Sequence, residues 1–120
     1  MLVDYHIFAI VAGFIVLDIV SGFSQACVNK TVDSSIMRQG LWHKSAYVLT
    51  IFVALLCEYS TIYMDLGFTV PLTVPVCIFI CTTELVSILE NIARINPDIA
   101  GTKLFDYFSQ NRNRRREEDE

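Results

Sequence analysis

The sequence has 120 residues, which is the length of a single domain. Hydrophobic residues make up 53% of it and charged residues only 18%, which is below the roughly 25% of a soluble domain. The net charge is −4, and the sequence has neither a broad basic surface nor a nucleic-acid-binding motif, which argues against a nucleic-acid partner. The apolar residues fall into three long blocks, as is typical of an integral membrane protein.

The first apolar block covers residues 5–23. A membrane-spanning helix needs roughly 20 mostly apolar residues to cross the hydrocarbon core, and this block has that length. A cleaved signal peptide is the alternative, but a signal peptide starts with a basic region, whereas this chain starts with Met1, Leu2, Val3 and Asp4. We therefore expect the first block to be a retained transmembrane helix.

The second and third blocks cover residues 45–64 and 70–89, and each is also long enough to span a membrane. The turn between them, residues 65–69, is short, which predicts an antiparallel helical hairpin. Pro71 and Pro75 lie in the first turns of the third helix, where a missing backbone donor matters least.

The basic residues are confined to two segments. Residues 24–44, predicted as a polar cytoplasmic loop, hold three of them, and the remaining six follow the third block, from Arg94 to Arg116. Cytoplasmic segments of membrane proteins carry an excess of Lys and Arg. Both segments are cytoplasmic if the chain spans the membrane three times with its N-terminus outside. The predicted fold is therefore an all-α protein with three transmembrane helices and a cytoplasmic C-terminus.

Three regions are predicted along the chain. Residues 1–95 form the transmembrane domain. Asn96 and Pro97 have the character of an N-cap and a first helical residue, which predicts an amphipathic helix on the inner leaflet over residues 96–110. Residues 111–120 contain a basic run followed by an acidic run and are predicted to be a charged, flexible tail.

Each apolar block contains one carboxylate, and these are the main candidate functional residues: Asp18, Glu58 and Glu84. A charge at the centre of a bilayer costs roughly 2.5–3.5 kcal/mol on insertion scales, so such side chains normally face protein or water. Small or polar residues share the helix face with each of them. They are Gly22 for Asp18, Ser87 and Asn91 for Glu84, and Ala54 and Thr61 for Glu58, whose stripe Ile62 interrupts. These stripes either meet other subunits and line water, or each carboxylate is protonated or paired within one monomer.

Catalysis and metal binding find no support in the sequence. It has no P-loop, no zinc signature and no arrangement of a nucleophile with a base. Three of the four cysteines lie inside apolar blocks, so we expect all four to behave as small apolar residues. We expect no enzymatic activity, no catalytic residue, no metal and no cofactor.

The segment from Asp18 to Asn91 resembles the phage-lysis and toxin-secretion holin family of Gram-positive bacteria and their phages. One part of the resemblance is an Asp near the end of the first span with a Gly four residues later, here Asp18 and Gly22. A second part is a loop motif, here Lys30, Ser34, Gly40 and Lys44. The third part is the ending of the last span, here E-L-V-S-I-L-E-N from Glu84 to Asn91.

The resemblance implies a homo-oligomer in the bacterial cytoplasmic membrane that contacts lipid and opens a pore. Through this pore an endolysin or a toxin would leave the cell. Two other functions remain open from the residues alone. One is a small ion- or proton-coupled transporter that uses the three carboxylates as relay groups, and the other is a membrane anchor subunit that recruits a soluble partner through its charged tail.

Overall fold

A computed structural model describes residues 4–98 and 114–118 of the chain. Three long helices make up most of it: α1 (Tyr5–Val28), α2 (Ser34–Tyr63) and α3 (Thr73–Ile95). At 1.5 Å per residue they are about 36, 45 and 35 Å long, so each exceeds a hydrocarbon core of about 30 Å. All three are long and apolar enough to cross a membrane, which confirms the predicted all-α, three-span fold. Residues 114–118 form a further short helix.

Local hydrogen bonds define both ends of α1. At its start, the Asp4 carboxylate accepts a hydrogen bond from the His6 backbone N–H at 3.0 Å and lies 2.6 Å from the Nδ1 atom of the same residue. These two contacts stabilise the charged carboxylate and therefore lower the pKa of Asp4. At the other end, Lys30 has a φ of 55°, and the Thr31 N–H bonds to the Ala26 carbonyl at 2.9 Å. This long backward bond is typical of a Schellman motif.

The connection between α1 and α2 is shorter than the sequence predicted. The prediction of a polar loop over residues 24–44 was wrong, because α1 continues to Val28 and α2 begins at Ser34. The Asp33 side chain caps α2 by accepting hydrogen bonds from the N–H groups of Ser35 at 2.8 Å and Ile36 at 3.5 Å. Hydropathy detects only the part of a helix that suits hydrocarbon, so it misses polar turns that extend beyond that part.

The connection between α2 and α3 reverses the direction of the chain. Asp65 and Gly67 both adopt a left-handed backbone conformation, with φ values of 48° and 79°. The Thr61 hydroxyl donates to the Glu58 carbonyl at 2.7 Å and accepts a hydrogen bond from the Val70 N–H at 3.4 Å. The hydroxyl thereby ties the last turn of α2 to the chain that leads into α3.

The chain packs as two compact units. The first comprises the described residues up to Ile15 together with Asp33–Thr83, and the second comprises Val16–Val32 and the described residues from Glu84 onwards. The first unit contains a small hydrophobic core drawn from all three helices, which consists of Val11, Ile51, Cys77 and Ile80. Partly buried apolar side chains such as Phe8, Tyr47 and Leu55 pack against it.

Buried positions recur at steps of three or four residues on α2 and α3 and at steps of seven and eight on α1, so each helix buries one narrow stripe. On α3 the stripe consists of Thr73, Cys77, Ile80, Glu84, Ile88 and Asn91. Among the described residues, seven hydrophobic residues are buried, whereas 26 large hydrophobic residues are exposed. Monomeric soluble proteins rarely expose so much contiguous apolar surface. The outward faces of the helices are therefore suited to lipid.

Most of the predicted C-terminal region lies outside the described residues. The start of the predicted amphipathic helix is described, and there the Asn96 side chain accepts a hydrogen bond from the Asp98 N–H at 3.2 Å. Residues 99–113 are not described, so the helix predicted over residues 96–110 stays a prediction. The predicted flexible tail also stays a prediction.

Candidate functional site

Five polar side chains are buried in helices of membrane length. They expose only 0–8% of their surface and are Asp18, Glu58, Thr73, Glu84 and Asn91. A buried polar group without a partner is costly, and a buried charge is more so. In the part of the chain that the structure describes, no buried side-chain nitrogen or oxygen atom lacks a hydrogen-bond partner. These residues and their partners are the candidate functional site.

The first polar group lies in the second unit, where it joins α1 to α3. The Asn91 amide nitrogen donates hydrogen bonds to the Asp18 carboxylate at 3.1 Å and to the Ser21 hydroxyl oxygen at 3.1 Å. The Ser21 hydroxyl in turn donates to the Asp18 backbone carbonyl at 3.2 Å. We call these three residues the Asn91 clasp. Within it, both hydrogens of one amide group are directed at α1.

Gly22 lies next to the Asn91 clasp. A β-carbon built on Gly22 would be 3.5 Å from the Asn91 amide nitrogen, which is ordinary van der Waals contact. Alanine would therefore fill the remaining space, and a larger side chain would displace the amide. Gly22 therefore lies beside the residue that Asp18 binds, while the predicted functional role of the Asp18 and Gly22 pair stays a prediction.

A second contact joins α3 to Asn29, the residue that directly follows α1. The Asn29 side-chain nitrogen donates to the Gln25 side-chain oxygen at 3.2 Å and to the Arg94 carbonyl at 3.4 Å. Asn29 follows Gly22 by seven residues, and Arg94 follows Asn91 by three. Within this unit, the two helices are therefore joined by polar side chains at two successive levels.

The second polar group lies in the first unit, where it joins α2 to α3. The Thr73 hydroxyl donates to Oε2 of Glu58 at 3.0 Å, and both side chains are almost inaccessible to solvent. Thr73 is the first residue of α3, and Glu58 lies in the last turns of α2. The bond therefore closes the base of the α2–α3 hairpin inside the protein.

Glu84 and Ser87 lie on α3 between these two groups. Glu84 is 2% exposed, whereas Ser87 is partly buried. Glu84 belongs to the buried stripe of α3, seven residues before Asn91. The expectation that Glu84 avoids lipid agrees with this burial, while its role in a pore stays a prediction, as does that of Ser87.

The loop motif occupies helix ends and the start of α2 rather than a long loop. Lys30 lies in the turn after α1 and Ser34 is the first residue of α2. Gly40 and Lys44 lie within α2, and a β-carbon on Gly40 would meet no heavy atom within 4 Å. Local packing in one monomer therefore does not explain why glycine occupies position 40.

Sequence reasoning missed Thr73 and did not select Ser21 as a candidate. Threonine is common in membrane helices, where its hydroxyl can bond to the carbonyl of the preceding turn, as Thr50 does at 2.8 Å. A usable signal was nonetheless present, because Thr73 precedes Glu84 by 11 residues, or about three helical turns. The two residues therefore share one face of α3.

The arrangement pairs buried polar groups within helices that are long and apolar enough to span a membrane. No group of three or more His, Cys, Asp or Glu side chains within them is placed to hold a metal ion. All four cysteines are free, and Cys77 is part of the apolar core. What the site offers is a set of paired polar side chains that can separate only if other polar partners replace them.

Comparison with known families gives one match. A family model described as the bacteriophage holin family matches residues 3–111, which include all three helices. No match was found among curated proteins or among solved structures.

Proposed function

The chain belongs to the bacteriophage holin family, and from this membership we propose that it assembles in the bacterial cytoplasmic membrane and opens a pore through which an endolysin or a toxin leaves the cell. Three helices of membrane length make it a multi-pass membrane protein, and its family is not one of enzymes. We further propose that the N-terminus lies outside and the C-terminus in the cytoplasm, as the distribution of basic residues predicts.

The observation that carries this proposal is that each of the three helices buries one carboxylate while its outward face is apolar. A transmembrane helix needs no carboxylate in order to span a bilayer, and an ionised one costs roughly 2.5–3.5 kcal/mol if it faces lipid. For Asp18, Glu58 and Glu84 together, exposure to lipid would cost about 8–10 kcal/mol. These side chains therefore stay within the protein until they can face water.

An assembly of subunits provides that water-facing surface. A single subunit of three helices cannot enclose a channel wide enough for a protein, whereas many subunits can surround one. Within such an assembly the buried faces of the helices can turn towards water without exposing a charge to lipid. Opening is then cooperative, because the wall of the pore is completed only by neighbouring subunits.

The experiment is expression of the chain alone in bacteria, without an endolysin or a toxin. We expect respiration to stop abruptly at a defined time and a cytoplasmic enzyme-sized marker to become accessible from outside. Asp18→Asn and Glu84→Gln should each shift that time at equal membrane levels. Glu117→Gln is the matched control, because it makes the same chemical change at an exposed position outside the three long helices.

Two outcomes would count against the proposal. If cells that contain the chain in their membrane respire normally, the chain does not open the membrane by itself. If the membrane collapses but all three variants behave alike, the buried carboxylates have no part in opening. Flux of small ions that depends on pH, without release of the large marker, would instead indicate the transporter.

A further inference from the structure

The Asn91 clasp contains Asp18 and Asn91, two of the polar side chains that we propose face water in the open pore. Asp18 and Asn91 are each 8% exposed, so almost none of either side chain can contact water in the subunit as folded. The two amide hydrogens of Asn91 are directed at Asp18 and Ser21, each at 3.1 Å. Asp18 therefore cannot line a water-filled pore while it keeps its place against Asn91.

We infer that the Asn91 clasp is a latch that holds the subunit closed, and that α1 must separate from α3 at this point before the pore opens. The inference rests on the proposed function, because a latch has meaning only if there is an open state. The clasp joins two different helices through side chains, and none of the backbone hydrogen bonds among the described residues links α1 to α3. Its release thus requires no unfolding of either helix.

Gly22 supports this assignment because it makes the closed position of Asn91 possible. A side chain much larger than alanine at position 22 would compete with the Asn91 amide for space, since a β-carbon there already contacts that nitrogen at 3.5 Å. The Asn29 contact to the Arg94 carbonyl lies further along the same pair of helices and would be released with the clasp. The latch is therefore the Asn91 clasp, and the longer Asn29–Arg94 contact supports it.

If Asn91 is part of a latch, its removal should change the time of opening in the opposite direction from its removal as part of a pore lining. If Asn91 serves only to line an open pore, its removal removes a polar group from the wall, and opening is delayed or lost. If Asn91 holds the closed state, its removal favours the open state, and opening is early. Interhelical hydrogen bonds in membranes are individually weak, and we expect the loss of this amide to increase the open population roughly three- to twenty-fold.

The first test is therefore the time of membrane collapse in cells that express Asn91→Ala. We expect collapse earlier than with the natural chain at the same membrane level. Gly22→Leu should act in the same direction, because its side chain expels the amide. Gln39→Ala is the matched control, since it removes a side-chain amide from an exposed residue of α2, and its timing should be unchanged.

The second test closes the latch covalently. The four natural cysteines are first replaced by alanine, and Ser21→Cys and Asn91→Cys are then introduced together. The Asn91 amide nitrogen contacts the Ser21 hydroxyl oxygen at 3.1 Å, which places the two positions opposite each other on α1 and α3. We expect an oxidant to form a disulfide within one chain, visible as a monomer of altered mobility. Oxidised cells should not collapse until a reductant is added, whereas the two single-cysteine variants should collapse with or without oxidant.

The results separate the latch from the proposed function. If the natural chain never permeabilises the membrane, the proposed function fails and the latch fails with it. If the natural chain permeabilises but Asn91→Ala is late or inactive at a normal membrane level, only the latch is overturned. It is also overturned if the engineered disulfide joins two chains instead of one, or if it forms within one chain and leaves the time of collapse unchanged.

Discussion

Replacing Thr73 with valine tests whether the bond between α2 and α3 stabilises the fold. Valine has the same branched shape as threonine, so the change removes the hydroxyl with little effect on packing. Thr73 is completely buried, and its hydroxyl donates to the Glu58 carboxylate at 3.0 Å. The variant therefore leaves an acceptor inside the protein without that donor.

The expected loss follows from two magnitudes. Interhelical hydrogen bonds in membrane proteins contribute about 0.6 kcal/mol on average and about 1.7 kcal/mol at most. A buried group deprived of its partner costs about 1–3 kcal/mol. Because the acceptor here is a buried carboxylate, we expect Thr73→Val to lower the free energy of unfolding by about 1.5 kcal/mol.

The assay is reversible unfolding of the purified protein in mixed micelles, followed by circular dichroism as the fraction of denaturing detergent rises. Thr50→Val is the matched control, because its hydroxyl is exposed and bonds to the Ala46 carbonyl in its own helix. We expect this control to change the free energy of unfolding by less than about 0.5 kcal/mol. Glu58→Leu combined with Thr73→Val should lose less stability than the two single changes added together, because the double variant leaves neither polar group unpaired.

A stabilising role for the Glu58–Thr73 bond is refuted if Thr73→Val and Thr50→Val have equal effects on the free energy of unfolding. It is also refuted if the double variant loses as much stability as the sum of the two single ones. Either result would mean that the Glu58–Thr73 bond contributes nothing that is specific to its buried position.

Three further predictions concern the ends of the helices and the position of Trp42 at the membrane–water interface. Asp33→Ala should lower the free energy of unfolding by about 1 kcal/mol, because it removes the N-cap of α2. Asp33→Ser should keep most of that stability, since serine is also an N-cap residue. An unchanged unfolding midpoint for Asp33→Ala would contradict the role of Asp33 as the cap. Lys30→Gly should raise the free energy of unfolding by up to about 1 kcal/mol, because glycine adopts the left-handed conformation of this residue without steric cost. Glycine at Lys44, within α2, should lower it instead. Trp42, the single tryptophan, is 77% exposed. Its fluorescence should be quenched most strongly by nitroxide lipids labelled near the headgroup. Stronger quenching of this fluorescence by labels deep in the acyl chains would place Trp42 in the hydrocarbon core instead.

The number and approximate position of the helices could be predicted because hydrophobic blocks of membrane length are a direct physical signal. The ends could not be predicted from the same signal, and for this reason the prediction of a loop over residues 24–44 failed. Ser24 and Gln25 are polar, yet they continue α1, and the helix ends only where Lys30 turns the backbone. Asp33 followed by two serines carries a recognisable N-cap signal that hydropathy does not include.

The candidate site could be predicted only in part. A carboxylate in an apolar helix stands out in the sequence, so Asp18, Glu58 and Glu84 could be selected as candidates, and all three are buried in the structure. Their partners could not be read in the same way, since Asn91 follows Asp18 by 73 residues and the sequence does not show which helix faces meet. Thr73 escaped attention because a threonine that bonds to its own helix and one that bonds to a neighbouring helix look alike in a sequence.

The central claim is that this chain by itself opens a membrane to molecules of protein size. The most direct measurement uses purified chain reconstituted into liposomes that contain a small dye and a large fluorescent dextran. As the number of chains per liposome increases, we predict that dye and dextran are released together above a threshold density. Release of the dye alone at every density, or a release that rises in simple proportion to the amount of chain, would contradict a cooperative pore.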